Sequence, residues 1–142
     1  MINAISTAIF NILKANSSLM TDLGGIAGNG YKLYRIIAPQ KASFPYITFG
    51  LLTGVPEGTF ADARAIDETT WWFNVFGEGE TGSKAVGTTV GLMTDVLDGA
   101  SLTVSGYSAM KCVYEFMGSV IYDPDTEVYQ IPLRYRIWVN KN

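Results

Sequence analysis

Apolar residues recur at Ile2, Ile5, Ile9, Ile12 and Leu13, three and four apart, so they fall on one face of a helix. Asn3 is the expected cap of that helix, and Asn16-Ser17-Ser18 breaks its pattern. A second short helix is expected over Leu19–Leu23, capped by Ser17 or Ser18 and closed by Gly24-Gly25. Residues 24–30 (GGIAGNG) read as a flexible connection, and Lys32–Ile37 as a short strand stopped by Ala38-Pro39-Gln40. Phe44–Leu52 predicts a second strand, with Pro45 at its start, where no ladder donor is needed. That run is apolar on both faces near its middle, which predicts a central position in a sheet.

Residues 54–67 (GVPEGTFADARAID) form a polar excursion that is long for a hairpin loop. The next strand, Glu68–Phe76, alternates: Trp71, Phe73 and Val75 share one face, and Trp72, Asn74 and Phe76 the other. Adjacent tryptophans must therefore point to opposite sides of the sheet. Either helices cover both sides, or one tryptophan marks an interface. Ser83–Leu97 is the main helix, with Val86, Val90, Met93 and Leu97 on one stripe and Gly99 as its C-cap. Gly87 and Gly91 each weaken that helix by about 1 kcal/mol, so close packing against the sheet is expected there.

Ser108–Tyr122 and Glu127–Val139 read as the arms of a long hairpin turning at Asp123-Pro124-Asp125-Thr126, where Asp then Pro favours a type I turn. Pairing Asp123 with Thr126 sets Cys112 opposite Ile137, Tyr114 opposite Tyr135, Phe116 opposite Leu133 and Val120 opposite Tyr129. That face is apolar and is expected to be core. The other face sets Glu115 opposite Arg134, a favourable cross-strand pair, and carries Arg136 and Trp138. Pro132 cannot donate to a ladder, so its strand is expected at a sheet edge or bulged. The chain thus reads as α+β in the order α-(α)-β-β-β-α-β-β. Its sheet is mostly antiparallel, with helices packed on it and a long β-hairpin at the end.

Composition narrows the function. A length of 142 residues fits one domain spanning 1–142. The single cysteine forbids an intrachain disulfide and suits a reducing compartment. No signal-peptide pattern or membrane-length apolar run is present, so a soluble, non-secreted protein is expected. The net charge is −3 with no lysine- or arginine-rich tract, which disfavours binding to nucleic-acid phosphates. Only 16% of residues are charged against 48% hydrophobic, which is consistent with a surface partly covered by partner chains or with an apolar-rich domain.

The chain has no histidine, which removes histidine-built zinc sites, Ser–His–Asp triads and Cys–His pairs. Cys112 falls on the apolar face of a strand, where a thiol is inert. Gly24, Gly25, Gly28 and Gly30 resemble a phosphate loop only superficially, since no Gly-Lys-Ser/Thr follows. Residues 57–80 hold Glu57, Asp62, Asp67, Glu68, Glu78 and Glu80 against Arg64 alone, a net −5. These acids read as solvated loops or as an acidic interaction surface rather than a paired-carboxylate catalyst. Trp138 shares the face of Arg134 and Arg136, and is expected at an interface or in local packing.

The helix Ile2–Ala15, the entry Ala38-Pro39…Phe44-Pro45-Tyr46-Ile47, the aromatic strand Trp71–Phe76 leading to a helix that ends at Leu97-Asp98-Gly99, and the closing strand Val128–Val139 follow one another in a particular order. Together they resemble the tail-completion, or tail-terminator, proteins of long-tailed phages and prophages. The glycines at 87 and 91 depart from the alanines expected there. The resemblance implies a non-enzymatic virion protein of the tail, assembled in the host cytoplasm, with no cofactor and no membrane. It implies a homo-oligomeric ring, usually hexameric, on the head-proximal end of the tail tube. Its partners would be itself, the tail-tube protein and a neck or head-completion protein, with DNA only passing through the lumen. Candidate interface residues are Glu57, Phe60, Asp62, Arg64, Asp67, Glu68, Glu115, Arg134, Arg136 and Trp138. The alternatives are another connector or neck subunit, and a monomeric α+β ligand-binding domain with an apolar pocket under the main helix.

Overall fold

The computed structural model describes residues 1–24, 31–58, 66–79 and 82–141. Two helices open the chain, α1 (Ile2–Lys14) and α2 (Ser17–Leu23). α1 buries Ile5, Ala8, Ile9 and Leu13, the face its spacing predicts. Asn3 is not its cap. The Ile5 N–H donates to the Met1 carbonyl at 3.0 Å, so the helix already starts at Ile2 and Met1 takes the cap position. α2 is capped by Asn16 rather than by a serine: the Asn16 side-chain oxygen accepts from the Leu19 N–H at 2.9 Å. Gly24 closes α2 at φ 70°, a left-handed cap.

Strands β1 (Leu33–Arg35), β2 (Tyr46–Glu57) and β3 (Ile66–Glu78) precede α3 (Gly82–Leu97). Strands β4 (Tyr107–Met117), β5 (Ile121–Asp123) and β6 (Val128–Lys141) follow it. They form one sheet in the order β1-β2-β3-β6-β4, with β5 also on β6. Only β1 runs parallel to its neighbour. The α+β class and the element order are as read from the sequence, with the first arm of the hairpin split in two.

One face of the sheet carries Ile47, Phe49, Trp71, Phe73, Val75, Leu133, Tyr135 and Ile137, which form one hydrophobic cluster with the buried stripes of the three helices. Burying each large side chain contributes roughly 1.5–3 kcal/mol. Trp71 keeps a polar partner inside this cluster: its Nε1–H donates to Thr69 Oγ1 at 3.0 Å, and the Thr69 hydroxyl donates to the Ile137 carbonyl at 2.6 Å. Trp72 lies on the opposite face, half-buried, which meets the expectation for adjacent tryptophans.

Several expectations change. β2 and β3 pair out to Glu57 and Ile66, so both ends of the polar excursion, residues 54–57 and 66–67, are strand. Pro56 is tolerated because β1 ends opposite Phe49, which leaves the far half of β2 with β3 as its only strand neighbour among the described residues. Gly87 and Gly91 do not press against the sheet: they are exposed on the outer side of α3, and a Cβ at either would meet nothing within 4 Å.

The hairpin register holds for Cys112–Ile137 and Tyr114–Tyr135 and then slips. A bulge between Tyr114 and Phe116 sets Phe116 opposite Arg134, and Met117 opposite Leu133. Near the turn Tyr122, not Val120, faces Tyr129, and the turn closes at Asp123–Val128. The Glu127 N–H donates to the Asp123 carbonyl at 2.8 Å, the Asp125 N–H to Asp123 Oδ1 at 3.0 Å, and Glu127 takes φ 57°. The wider loop follows from the aspartate side chain bonding its own turn. Tyr114, Phe116 and Val120 are exposed rather than core, because β4 and β5 form the sheet edge beyond the helices. β6 itself is central. Pro132 fits there because β4 has ended and β5 has not begun beside it, and its carbonyl accepts from the Gly118 N–H at 2.8 Å.

Candidate functional site

The face of the sheet away from the helices is built by alternation along β6, which turns Arg134, Arg136 and Trp138 outward. Arg136 lies opposite Thr70 on β3 and Val113 on β4. Its Nη2 donates to Glu115 Oε1 at 3.0 Å, and Nη1 lies 3.4 Å from Glu68 Oε1. Glu115 reaches this position because it is the unpaired residue of the β4 bulge. Phe116, displaced onto the row of Arg134, lies beneath that guanidinium, 5.3 Å from carbon to ring centre. The expected Glu115–Arg134 pair is therefore replaced by a Glu68–Arg136–Glu115 bridge and an Arg134–Phe116 stack. Trp138 sits opposite Glu68 and is half-buried.

The hydrogen bond to Glu115 and the Glu115 charge hold the Arg136 guanidinium above its ordinary range; burial works against them, and Glu68 adds a smaller upward push. Its Nε is buried with no hydrogen-bond partner among the described residues.

The structure thus brings Glu68, Glu115, Arg134, Arg136 and Trp138 onto one face. Asp67 lies apart from them: it is buried and paired with Val139, since neighbours on a strand point to opposite sides. Glu57 ends β2, opposite Ile66. Phe60, Asp62 and Arg64 lie outside the described residues.

Sequence reasoning missed the edges. Val113, Phe116, Met117, Ile121 and Tyr122 are exposed along β4 and β5, and Ile36 and Ile37 just past β1. The signal was present in the run Ile36-Ile37-Ala38-Pro39, whose proline lacks a ladder donor, but it requires knowing that β1 is an edge.

Little in this arrangement makes or breaks bonds. Burial pushes the Cys112 thiol up to about 12, with the Asp98 charge adding to it, so no thiolate forms near neutral pH. Among the described residues no group of three or more Cys, Asp or Glu is placed to hold a metal. The inner stripe of α3, where a ligand pocket had been an alternative, is filled by Val86, Thr89, Val90, Met93 and Leu97. A shallow open depression of about 200 Å³ lies on the outer face, lined by Phe44, Tyr46, Phe76 and Ile121 among others.

The fold and this surface define an α+β domain whose outer face carries ion pairs, stacked aromatics and bare sheet edges, the materials of protein recognition. The chain belongs to the family described as tail completion protein gp17, whose model matches residues 7–140. Membership places it among structural proteins of phage tails. Comparison with curated proteins gives no match. Among solved structures, a chain in the virion of a native gene transfer agent particle superposes with a TM-score of 0.73 at 16% identity, covering 94% of this chain and 92% of that one. A second solved chain gives a TM-score of 0.66 at 10% identity, covering 99% and 96%. At these identities the likeness shows a shared fold.

Proposed function

We propose that this chain is a tail-terminator subunit. It joins copies of itself into a ring, expected to be hexameric, on the head-proximal end of the tail tube. The ring stops tube growth and offers its other side to the neck or head-completion protein, while DNA passes through its lumen unread. Its work is binding, with no reaction and no cofactor. The observation that carries this reading is the family match over residues 7–140, nearly the whole chain. The outer face adds support, because its aromatic and arginine side chains are of the type that dominates protein contacts.

In this reading the acidic stretch of residues 54–68, Glu57 and Asp62 among them, meets the lumen or the tube, where negative charge repels passing DNA, while Glu68 is held by Arg136 on the outer face. Asp67 is left out of that set, because it is buried. Phe60, Arg64, Glu115, Arg134, Arg136 and Trp138 are assigned to contacts with neighbouring chains.

Electron microscopy of the purified protein with and without tail tubes tests the proposal. Rings free in solution or capping one end of each tube are the expected result. A monomer that leaves tubes uncapped and still growing would overturn it.

A further inference from the structure

The two edges of the sheet carry patches that are apolar at their centres and opposite in charge at their rims. On one side, just past β1, Ile36 is 64% exposed and Ile37 is 78% exposed. Residues 31–45 around them hold Lys32, Arg35 and Lys41 and no acid. On the other side, Phe116 is 45%, Met117 42% and Ile121 50% exposed along β4 and β5. Residues 113–127 there hold Glu115, Asp123, Asp125 and Glu127 and no base, while from β6 Arg134 stacks on Phe116 and Arg136 binds Glu115, so the net negative charge of this rim rests on Asp123, Asp125 and Glu127.

The strand pairing also sets these patches at one height along the strands. Arg35, Phe49, Phe73, Leu133 and Met117 form one row across all five strands of the main path. The next row runs through Gly50, Trp72 and Arg134 to Phe116. Ile36 closes it on the far side, since its N–H donates to the Phe49 carbonyl at 2.9 Å and its side chain lies where a Cβ on Gly50 would stand. Four strand spacings, about 19 Å, separate the two patches.

We propose that the β1 margin of one copy docks on the β4–β5 margin of the next, Ile36 and Ile37 against Phe116 and Met117, with the basic rim facing the acidic one. This rests on the ring-forming reading above and names its joint. The two surfaces differ, so the contact is head-to-tail, and each copy keeps one unused patch until the chain of copies closes. Because the patches share a height, successive copies are related by rotation with little rise, which favours a closed ring over a helical filament. Charge complementarity selects this pairing over self-pairing, because either margin set against itself would oppose like charges.

Native mass spectrometry of the full chain, alone and with isolated tail tubes, tests the joint with Ile37→Asp and Phe116→Asp. Each variant alone is expected to lose the ring. An equal mixture of the two is expected to give dimers and nothing larger, since one intact patch remains on each partner and only one joint can form. Rings that persist in both single variants would overturn this joint while leaving the ring reading intact. A wild-type chain that stays monomeric with and without tubes would overturn the ring reading itself. A second measurement avoids any variant that fails to fold: Ile37→Cys with Phe116→Cys, in a Cys112→Ala background, is oxidised. A ladder of disulfide-linked copies ending in a closed ring is expected. No more cross-linking than in a Gly87→Cys control would overturn the proposal.

Discussion

The Tyr135 hydroxyl donates to Asp98 Oδ1 at 2.7 Å, tying the middle of β6 to the residue that follows α3. Tyr135 is buried and Asp98 is exposed, so the two ends of the bond are not equivalent. Removing the hydroxyl with Tyr135→Phe frees a carboxylate that water can solvate, at a cost of about 1 kcal/mol. Removing the acceptor with Asp98→Ala leaves a buried hydroxyl without a partner, at about 1–3 kcal/mol. Urea unfolding should rank Asp98→Ala as the more damaging of the two.

Alkaline pH should destabilise the fold in two stages. Burial, aided by Asp98, raises Cys112 from 9.0 to about 12 and raises Tyr135 above its ordinary 10.0. Both groups hold their protons longer in the folded state than in the unfolded one. Their contribution is complete below the unfolded pKa and is lost as pH rises above it. Stability should fall by about 1.4 kcal/mol per pH unit above pH 9 from the thiol, and more steeply once unfolded tyrosine ionises. Cys112→Ala should abolish the first stage in chemical denaturation series between pH 8 and 11, while lowering overall stability through the cavity it leaves.

Glycines divide by what surrounds them. At Gly87 and Gly91 a Cβ meets nothing within 4 Å, so alanine should stabilise the free subunit by about 0.5–1 kcal/mol at each site. At Gly77 it would collide with Val86, and at Gly82 with the ring of Tyr129. Alanine at either is expected to cost about 1–3 kcal/mol. Thermal unfolding of the four single variants checks the contrast, with midpoints rising for the first pair and falling for the second.

Arg136 separates stability from assembly. Its bridges to Glu68 and Glu115 lie on an accessible face, with 42% of its own side chain exposed. Arg136→Met should therefore leave the unfolding free energy nearly unchanged. Under the proposed function it should nonetheless lower the yield of capped tails in a joining assay, because the charge pattern of the outer face is broken.

Helix faces, strand alternation and the order of elements were legible because the core face repeats at regular intervals. Ile5, Ile9 and Leu13 on α1, and Trp71, Phe73 and Val75 on β3, were placed correctly by period alone. The hairpin was legible as far as Tyr114–Tyr135 and failed beyond it. A bulge at Glu115 moves Phe116 by one position, a further slip before Ile121 makes the shift two, and nothing in the alternation of Tyr114, Phe116 and Val120 announces either. Those residues were read as core because they are apolar, but the helices do not reach the edge they occupy. For the candidate site, the outward set Arg134, Arg136 and Trp138 was readable from β6. Asp67 was misplaced because its charge suggested a loop, whereas the ladder carries it inside.

β6 lies between β3 on one side and β4 and β5 on the other, yet it follows every other strand along the chain. Until residues 128–141 dock, the β1-β2-β3 half and the β4–β5 segment have no shared seam. A partly synthesised subunit therefore cannot hold its two opposite margins at a fixed distance, and a neighbour has nothing of defined width to span. Under the proposed ring joint, only a chain with β6 in place would have the dimensions needed to enter the assembly.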